Sequence, residues 1–146
     1  MITLELMTKE AVNFEFAFTA KKVALGPYIE TKWGWDESFQ RRLHSERWAV
    51  KAFFRIVVED EAVGTVAIDE WPAHVQFGEF YLLPSFQRRG IGSKVLASVI
   101  EKAAAKHLPL RLECLKWNPA LSLYKRAGFV VTRESDIHYF MERFHA

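Results

Sequence analysis

Leu82-Leu83-Pro84-Ser85-Phe86-Gln87-Arg88-Arg89-Gly90-Ile91-Gly92 is the stretch on which the reading of this chain turns. Before it, Val75 to Leu83 predicts a strand, rich in aromatic and aliphatic residues and stopped by Pro84. After it, Ile91, Val95, Leu96, Val99, Ile100 and Ala103 recur at helical spacing on one face, with Ser93, Lys94, Glu101, Lys102 and Lys106 on the other. A strand therefore runs into a short basic loop with two glycines, and the loop becomes the first turn of an amphipathic helix. Such a turn has unpaired backbone N–H groups at the positive end of the macrodipole. Gly90 and Gly92 let the backbone approach a ligand with no Cβ in the way, and Arg88 and Arg89 add positive charge. These are the physical requirements of a phosphate or pyrophosphate cradle. Glycines at a strand-to-helix turn also occur for the sake of the turn alone, so the residues by themselves leave both readings open.

Composition sets the bounds. A chain of 146 residues suits one domain with a real core, and half of the residues are apolar, as expected of a globular protein. The net charge of +2 is too small to argue for nucleic acid, and the basic residues do not form dense runs. Cys114 is the one cysteine, which excludes an internal disulfide and fits a reducing compartment. No apolar run approaches the roughly 20 residues of a membrane span. Glu5 and Lys9 interrupt the start, so no signal-peptide core is expected and a cytoplasmic protein is the plain reading.

In chain order, Ile2 to Leu6 predicts a first strand. Thr8 is the expected N-cap of a helix from about Lys9 to Leu25, ended by Gly26-Pro27, with Val12, Phe16, Thr19 and Val23 at three- and four-residue steps. Tyr28 to Trp35 reads as a loop, and Asp36 caps a second helix through about Arg47. Phe53 to Val58 and Val63 to Ile68 predict a hairpin about the turn Glu59-Asp60-Glu61. Val75 to Leu83 is the next strand, followed by the glycine loop and its helix to about Lys106, then a strand over Pro109 to Cys114. Asn118-Pro119 starts a short helix that Gly128 ends, and Phe129 to Val131 and Ile137 to Phe144 are the last strands. This is a mixed α/β sheet with helices on both faces.

Gln87-Arg88-Arg89-Gly90-Ile91-Gly92 matches the Q/R-x-x-G-x-G/A signature and in this resembles the GNAT N-acetyltransferase superfamily. A second segment, Asn118-Pro119-Ala120 followed by Leu123-Tyr124-Lys125-Arg126-Ala127-Gly128-Phe129, is similar to the family's N-x-x-A-x-x-L-Y-x-x-x-G-F, with Ala120 one place early. Pro27-Tyr28 with Trp33-Gly34-Trp35-Asp36-Glu37 resembles small bacterial members. The resemblance spans essentially the whole chain, and the order of elements is that of the GNAT fold. It implies a single domain over 1–146 with a mixed, mostly antiparallel central sheet of about seven strands and helices on both faces. It also implies transfer of an acetyl group from acetyl-CoA, a cosubstrate needing no metal, to a primary amine by direct attack in a ternary complex.

The roles that the resemblance implies fall on named residues. Backbone N–H groups from Arg88 through Arg89, Gly90, Ile91 and Gly92 to Ser93 hold the pyrophosphate, with Gln87 in the same motif. Backbone groups of Leu82 and Leu83 pair with the pantetheine arm, as an added strand would, and an N–H there steadies the thioester oxygen. Asn118 and Lys125 complete the cofactor-binding set, Asn118 also serving as a helix cap. Tyr124 protonates the departing thiolate, or else is simply packed beside Leu121 and Phe129. Glu79 shares a strand face with Phe77 and Tyr81, where it is either a base acting through water, a substrate contact, or a solvent-facing residue near a sheet edge. Tyr28, Glu30, Trp33 and Trp35 form a candidate acceptor cage for a cationic amine, with packing as the alternative. Trp71, His74 and Trp117 are weaker candidates for its rim, and His138 and His145 have no partner visible in sequence.

The expected partner is a small-molecule or peptide amine, with no nucleic acid and no membrane, and dimerisation common in the family makes a homodimer an open expectation. A catalytically inactive acyl-CoA-binding sensor of the same fold is the second reading. A dinucleotide binder is disfavoured because Val95 stands where the third glycine of G-x-G-x-x-G would be. A nucleic-acid module built on Arg88 and Arg89 lacks a wider basic face in sequence.

Overall fold

Two periodicities account for most of the architecture seen in a computed structural model, which describes residues 1–144; His145 lies outside the described residues. The elements are β1 (Ile2–Leu6), α1 (Ala11–Trp33), α2 (Glu37–Val50), β2 (Phe53–Val58), β3 (Glu61–Glu70), β4 (Val75–Leu82), a 3-10 turn at Pro84–Phe86, α3 (Ile91–Ala105), β5 (Leu110–Leu115), α4 (Leu121–Arg126), β6 (Val130–Glu134) and β7 (His138–Arg143). The strands form a seven-stranded, mostly antiparallel sheet in the order β1-β2-β3-β4-β5-β7-β6, in which β4 and β5 are parallel. Among the described residues no helix is long and apolar enough to cross a membrane. By its contacts the chain divides into two compact units, the first of Met1–Ile68 with Glu79–Gln87 and the second of Asp69–Gly78 with Arg88–Ala146.

In the first unit, β1 pairs antiparallel with β2 from Ile2↔Val58 to Leu6↔Phe54. The β2–β3 hairpin closes through Glu59 (φ 53°) and Asp60 (φ 66°). Positive φ at both central residues gives the turn a twist that matches the flanking strands. Asp36 caps α2 as expected, its Oδ1 accepting from the Phe39 N–H at 3.0 Å. At the other end of α2, Lys9 Nζ donates to the carbonyls of Trp48 (2.6 Å) and Lys51 (2.7 Å), groups that the helix leaves unpaired. Met7, Ala17, Trp48 and Phe53 form a core here, with the Trp48 and Phe53 rings 4.9 Å apart.

Helix α1 departs from the sequence reading in three ways. Its N-cap is Glu10 rather than Thr8, and Thr8 instead donates to Glu10 and accepts from Asn13. It also continues through Gly26-Pro27 to Trp33, so the predicted loop from Tyr28 is helix, and the glycine that stops it is Gly34, with φ 80°. An internal proline costs about 3 kcal/mol through its missing N–H and its clash with the preceding turn. Burial of Leu25, Gly26 and Ile29 around it offsets that cost. Finally, Val12 (72 % exposed) and Val23 are outside, and the buried stripe is Asn13, Ala17, Ala20, Lys21 and Leu25. The buried face is thus not the one expected, and it includes a polar residue and a charged one.

In the second unit, β4 begins parallel to β5 through Val75↔Leu110 and Gln76↔Arg111, and β7 pairs antiparallel with both β5 and β6. The face of α3 buries Ile91, Val95, Leu96, Val99 and Ala103, as its spacing predicts. Helix α4 starts later than expected, at Leu121, because Asn118 forms a turn before it: its Oδ1 accepts from the Ala120 N–H at 2.8 Å. Gly128 ends α4 at φ 96°, with the Phe129 N–H on the Tyr124 carbonyl and the Gly128 N–H on the Lys125 carbonyl. That is the Schellman pattern, and the accompanying apolar contact is Tyr124 against Phe129, ring centroids 5.9 Å apart.

Candidate functional site

In the second unit, the glycine loop meets α3 with the geometry of an anion cradle. Gly90 is the N-cap at φ 79°, a left-handed conformation, and no side chain caps the turn. The first intrahelical bond runs from the Lys94 N–H to the Gly90 carbonyl at 3.2 Å. The N–H groups of Ile91, Gly92 and Ser93 precede it, so the helix supplies no acceptor for them. Arg88 also has positive φ (62°), which in a non-glycine residue costs on the order of 1 kcal/mol. Ile91 is buried and anchors the turn, while Arg88, Arg89, Gly90 and Ser93 are exposed.

Tyr124 is buried, set between Phe77 and Phe129 in edge-on contacts at 6.1 and 5.9 Å. Burial, with Cys114 as a second cause, pushes its hydroxyl above the usual phenol range. Burial also raises Cys114, to about 11. Both groups stay protonated at neutral pH. Lys125, next along α4, is exposed.

In the first unit, the strand end before the loop is arranged more narrowly than the resemblance implies. The Leu83 N–H is committed to the Val63 carbonyl and the Leu83 carbonyl to the Phe86 N–H, both at 2.9 Å. Leu82 is thus the better placed to offer backbone groups, and its carbonyl accepts from Gln87 Nε2 at 2.9 Å. Gly64 lies against this segment so closely that a Cβ there would fall 2.2 Å from the Tyr81 carbonyl oxygen.

Glu79 is not solvent-facing. It is 8 % exposed, continues the buried alternation of Val75 and Phe77, and has φ 46°, a left-handed break in the strand. Its carboxylate lies 3.4 Å from Arg47 Nη1 and 4.0 Å from Lys51 Nζ, and accepts from the Tyr81 hydroxyl at 3.1 Å. Burial opposes its charge, but Arg47, Lys51, Lys21 and Tyr81 together hold its pKa below the usual carboxylate value. Lys21, 3 % exposed, is lowered by burial to about 8, with Glu79 acting against the shift. His44, on α2, is buried among Phe14, Phe18, Trp48 and Phe53, and burial lowers it as well.

The acceptor residues read from sequence do not converge. Tyr28 and Glu30 are two apart on one helix and so project about 200° apart around it. Trp33 is half exposed near the helix end. Trp35 packs on Gly26 and Phe18 and donates its indole N–H to Glu37 at 2.8 Å. Trp71 is exposed and His74 bonds Gln76. Sequence reasoning did not single out Lys21, Arg47 or Lys51. For Lys21 the one available signal is its fourth-residue spacing from Ala17 and Leu25, which puts a charge on an apolar stripe.

Residues 17–129 match the acetyltransferase (GNAT) family. The chain belongs to this family. No curated protein matches it. Among solved structures, this GNAT chain is similar to a PaiA N-acetyltransferase from Thermoplasma acidophilum in complex with coenzyme A. The two are 14 % identical over 99 % of each chain, with a TM-score of 0.77. It is also similar to the ribosomal-protein-S18-alanine N-acetyltransferase of Escherichia coli, at 17 % identity over 99 % of this chain and 94 % of that one, TM-score 0.70. A GNAT family acetyltransferase from Elizabethkingia anophelis with acetyl-CoA bound is 16 % identical over 99 % and 98 %, TM-score 0.70. At these identities the likeness is one of fold.

Proposed function

We propose that this GNAT chain is an acetyl-CoA-dependent N-acetyltransferase acting as one domain, passing the acetyl group directly to a primary amine in a ternary complex. The observation that carries the reading is the uncapped start of α3, where Gly90 turns left-handed and the N–H groups of Ile91, Gly92 and Ser93 precede the first intrahelical bond, as a pyrophosphate requires. It is supported by the ligands named for two of the similar structures, coenzyme A and its thioester acetyl-CoA. Asn118 and Lys125 extend the cofactor-binding set. Gln87 holds the Leu82 carbonyl until an amide N–H of the pantetheine arm replaces its own.

In the reaction the amine nitrogen bonds to the thioester carbon, the C–S bond breaks, and the sulfur takes the Tyr124 proton. A phenol kept neutral by burial is always loaded for that step, and solvent reloads it afterwards. Glu79, ionised at neutral pH, passes one ammonium proton to solvent through water. The nitrogen gives up a second proton to water as the C–S bond breaks, which balances the one that solvent returns to Tyr124. Held below the usual carboxylate range, Glu79 is a weak base, so it hands the proton straight on to water. Since the thioester is already activated, much of the rate comes from holding the two reactants together.

Thermal unfolding with acetyl-CoA, beside NAD and ATP, tests the donor. Saturation at about 100 times Kd adds roughly 2.7 kcal/mol, which shifts Tm by several degrees, and no shift with acetyl-CoA overturns the reading. The Tyr124→Phe enzyme should keep that shift and lose about 100-fold or more in kcat. An unchanged kcat removes Tyr124 as the acid.

A further inference from the structure

Three cations converge on one carboxylate in the first unit. Lys21 comes from the buried stripe of α1, Arg47 from the last turn of α2, and Lys51 from its C-cap. Arg47 and Lys51 both reach Glu79 on β4, whose second oxygen is held by Tyr81. Glu79 is the one carboxylate, among the described residues, whose field acts on Lys21, and that action is through space, outside ion-pair distance. His44 on α2, the other titratable group facing these charges, is lowered and adds no positive charge at neutral pH. The cluster therefore carries two positive charges more than it has negative ones. Other cations of the same unit differ: Lys22 faces Glu37, Arg41 faces Glu15, and Arg55 faces Glu5.

A lysine that is 3 % exposed and has no ion pair among the described residues is costly to keep charged, and such arrangements gather where a ligand completes them. The cluster is not sealed, because the Arg47 and Lys51 side chains are each 30 % exposed. Arginine's planar fork suits a carboxylate or a phosphate, and lysine adds a point charge. We propose that Lys21, Arg47 and Lys51 receive an anionic group of the acceptor, so that the amine acetylated by this chain also carries a carboxylate or a phosphate. Glu79 is then the one negative group in the cluster, matched to the ammonium of the same molecule. The proposal rests on the acetyl-transfer reading above and replaces the cationic cage expected from Tyr28, Glu30, Trp33 and Trp35.

Matched acceptors test it on the full chain, with CoA release as the readout. L-phenylalanine is set against its amide for the carboxylate, O-phosphoethanolamine against ethanolamine for the phosphate, and spermidine stands for a purely cationic amine. The expected result is a preference of about 100-fold or more in kcat/KM for one anionic member over its neutral partner, lost in Lys21→Met. Succinate and inorganic phosphate report binding without turnover: one of them should raise the Tm of the unaltered chain and leave that of Lys21→Met unmoved. The acetyl-CoA shift should persist in the variant, which separates the two readings. Loss of that shift in the unaltered chain defeats acetyl transfer itself. An intact shift with equal use of amides and alcohols, with spermidine preferred, or with an anion response that survives Lys21→Met, defeats the acceptor assignment alone.

Discussion

Lys21→Met should make the folded chain more stable at pH 7, by about 3 kcal/mol, although it removes a residue assigned here to substrate binding. Lys21 is 3 % exposed, and burial lowers its pKa from 10.5 to about 8. Between those values the unfolded chain holds the proton and the folded chain does not. Stability therefore rises with pH across that window, and below pH 8 the folded state bears the whole penalty of a buried charge. Integrated over the window, the penalty is on the order of 3 kcal/mol. Methionine fills similar space without the charge, and Glu79 keeps Arg47 and Lys51 as partners, so no carboxylate is orphaned. Urea unfolding of both proteins at pH 7 and at pH 10 checks this: the gap should be largest at pH 7 and fall to about 1 kcal/mol at pH 10. A variant less stable than the unaltered chain at pH 7 means that Lys21 is held by a favourable interaction and its charge is not a burden.

Gly64→Ala should be the most damaging small substitution in the first unit. An added Cβ would meet the Tyr81 carbonyl oxygen at 2.2 Å and Leu82 at 3.0 Å, the first of these an unyielding backbone atom. Either β3 or the Leu82 segment must move, at a cost of about 3 kcal/mol and a fall in Tm on the order of 10 °C. Movement at Leu82 would also disturb the carbonyl that Gln87 now holds, so the thermal shift with acetyl-CoA should shrink in the same variant. Thermal unfolding with and without acetyl-CoA measures both effects. An unchanged Tm means that the strands can separate there without loss.

The two substitutions bear on different parts of the proposed chemistry. Gly64 shapes the backbone assigned to the donor, and its removal weakens both fold and donor binding. Lys21 serves the acceptor at the expense of the fold, so stability and acceptor use should move in opposite directions. That opposition is what separates a residue retained for a ligand from one retained for packing.

Local chemistry was enough to read much of this protein from its residues. The strand-to-helix passage through Gln87-Arg88-Arg89-Gly90, the buried face of α3, the Asp36 cap, the Glu59-Asp60 turn and the Gly128 stop each depend on neighbours within a few positions. Backbone propensity and spacing act at that range. The extent of α1 was not legible, because Gly26-Pro27 is a strong local stop that yields when burial of Leu25 and Ile29 outweighs it. Nor was the burial of Lys21 and Glu79. Glu79 is 32 positions from Arg47, and a carboxylate's charge state depends on what the folded chain brings beside it. Coulomb and desolvation energies follow distance in space, which the order of residues along a strand or helix does not encode.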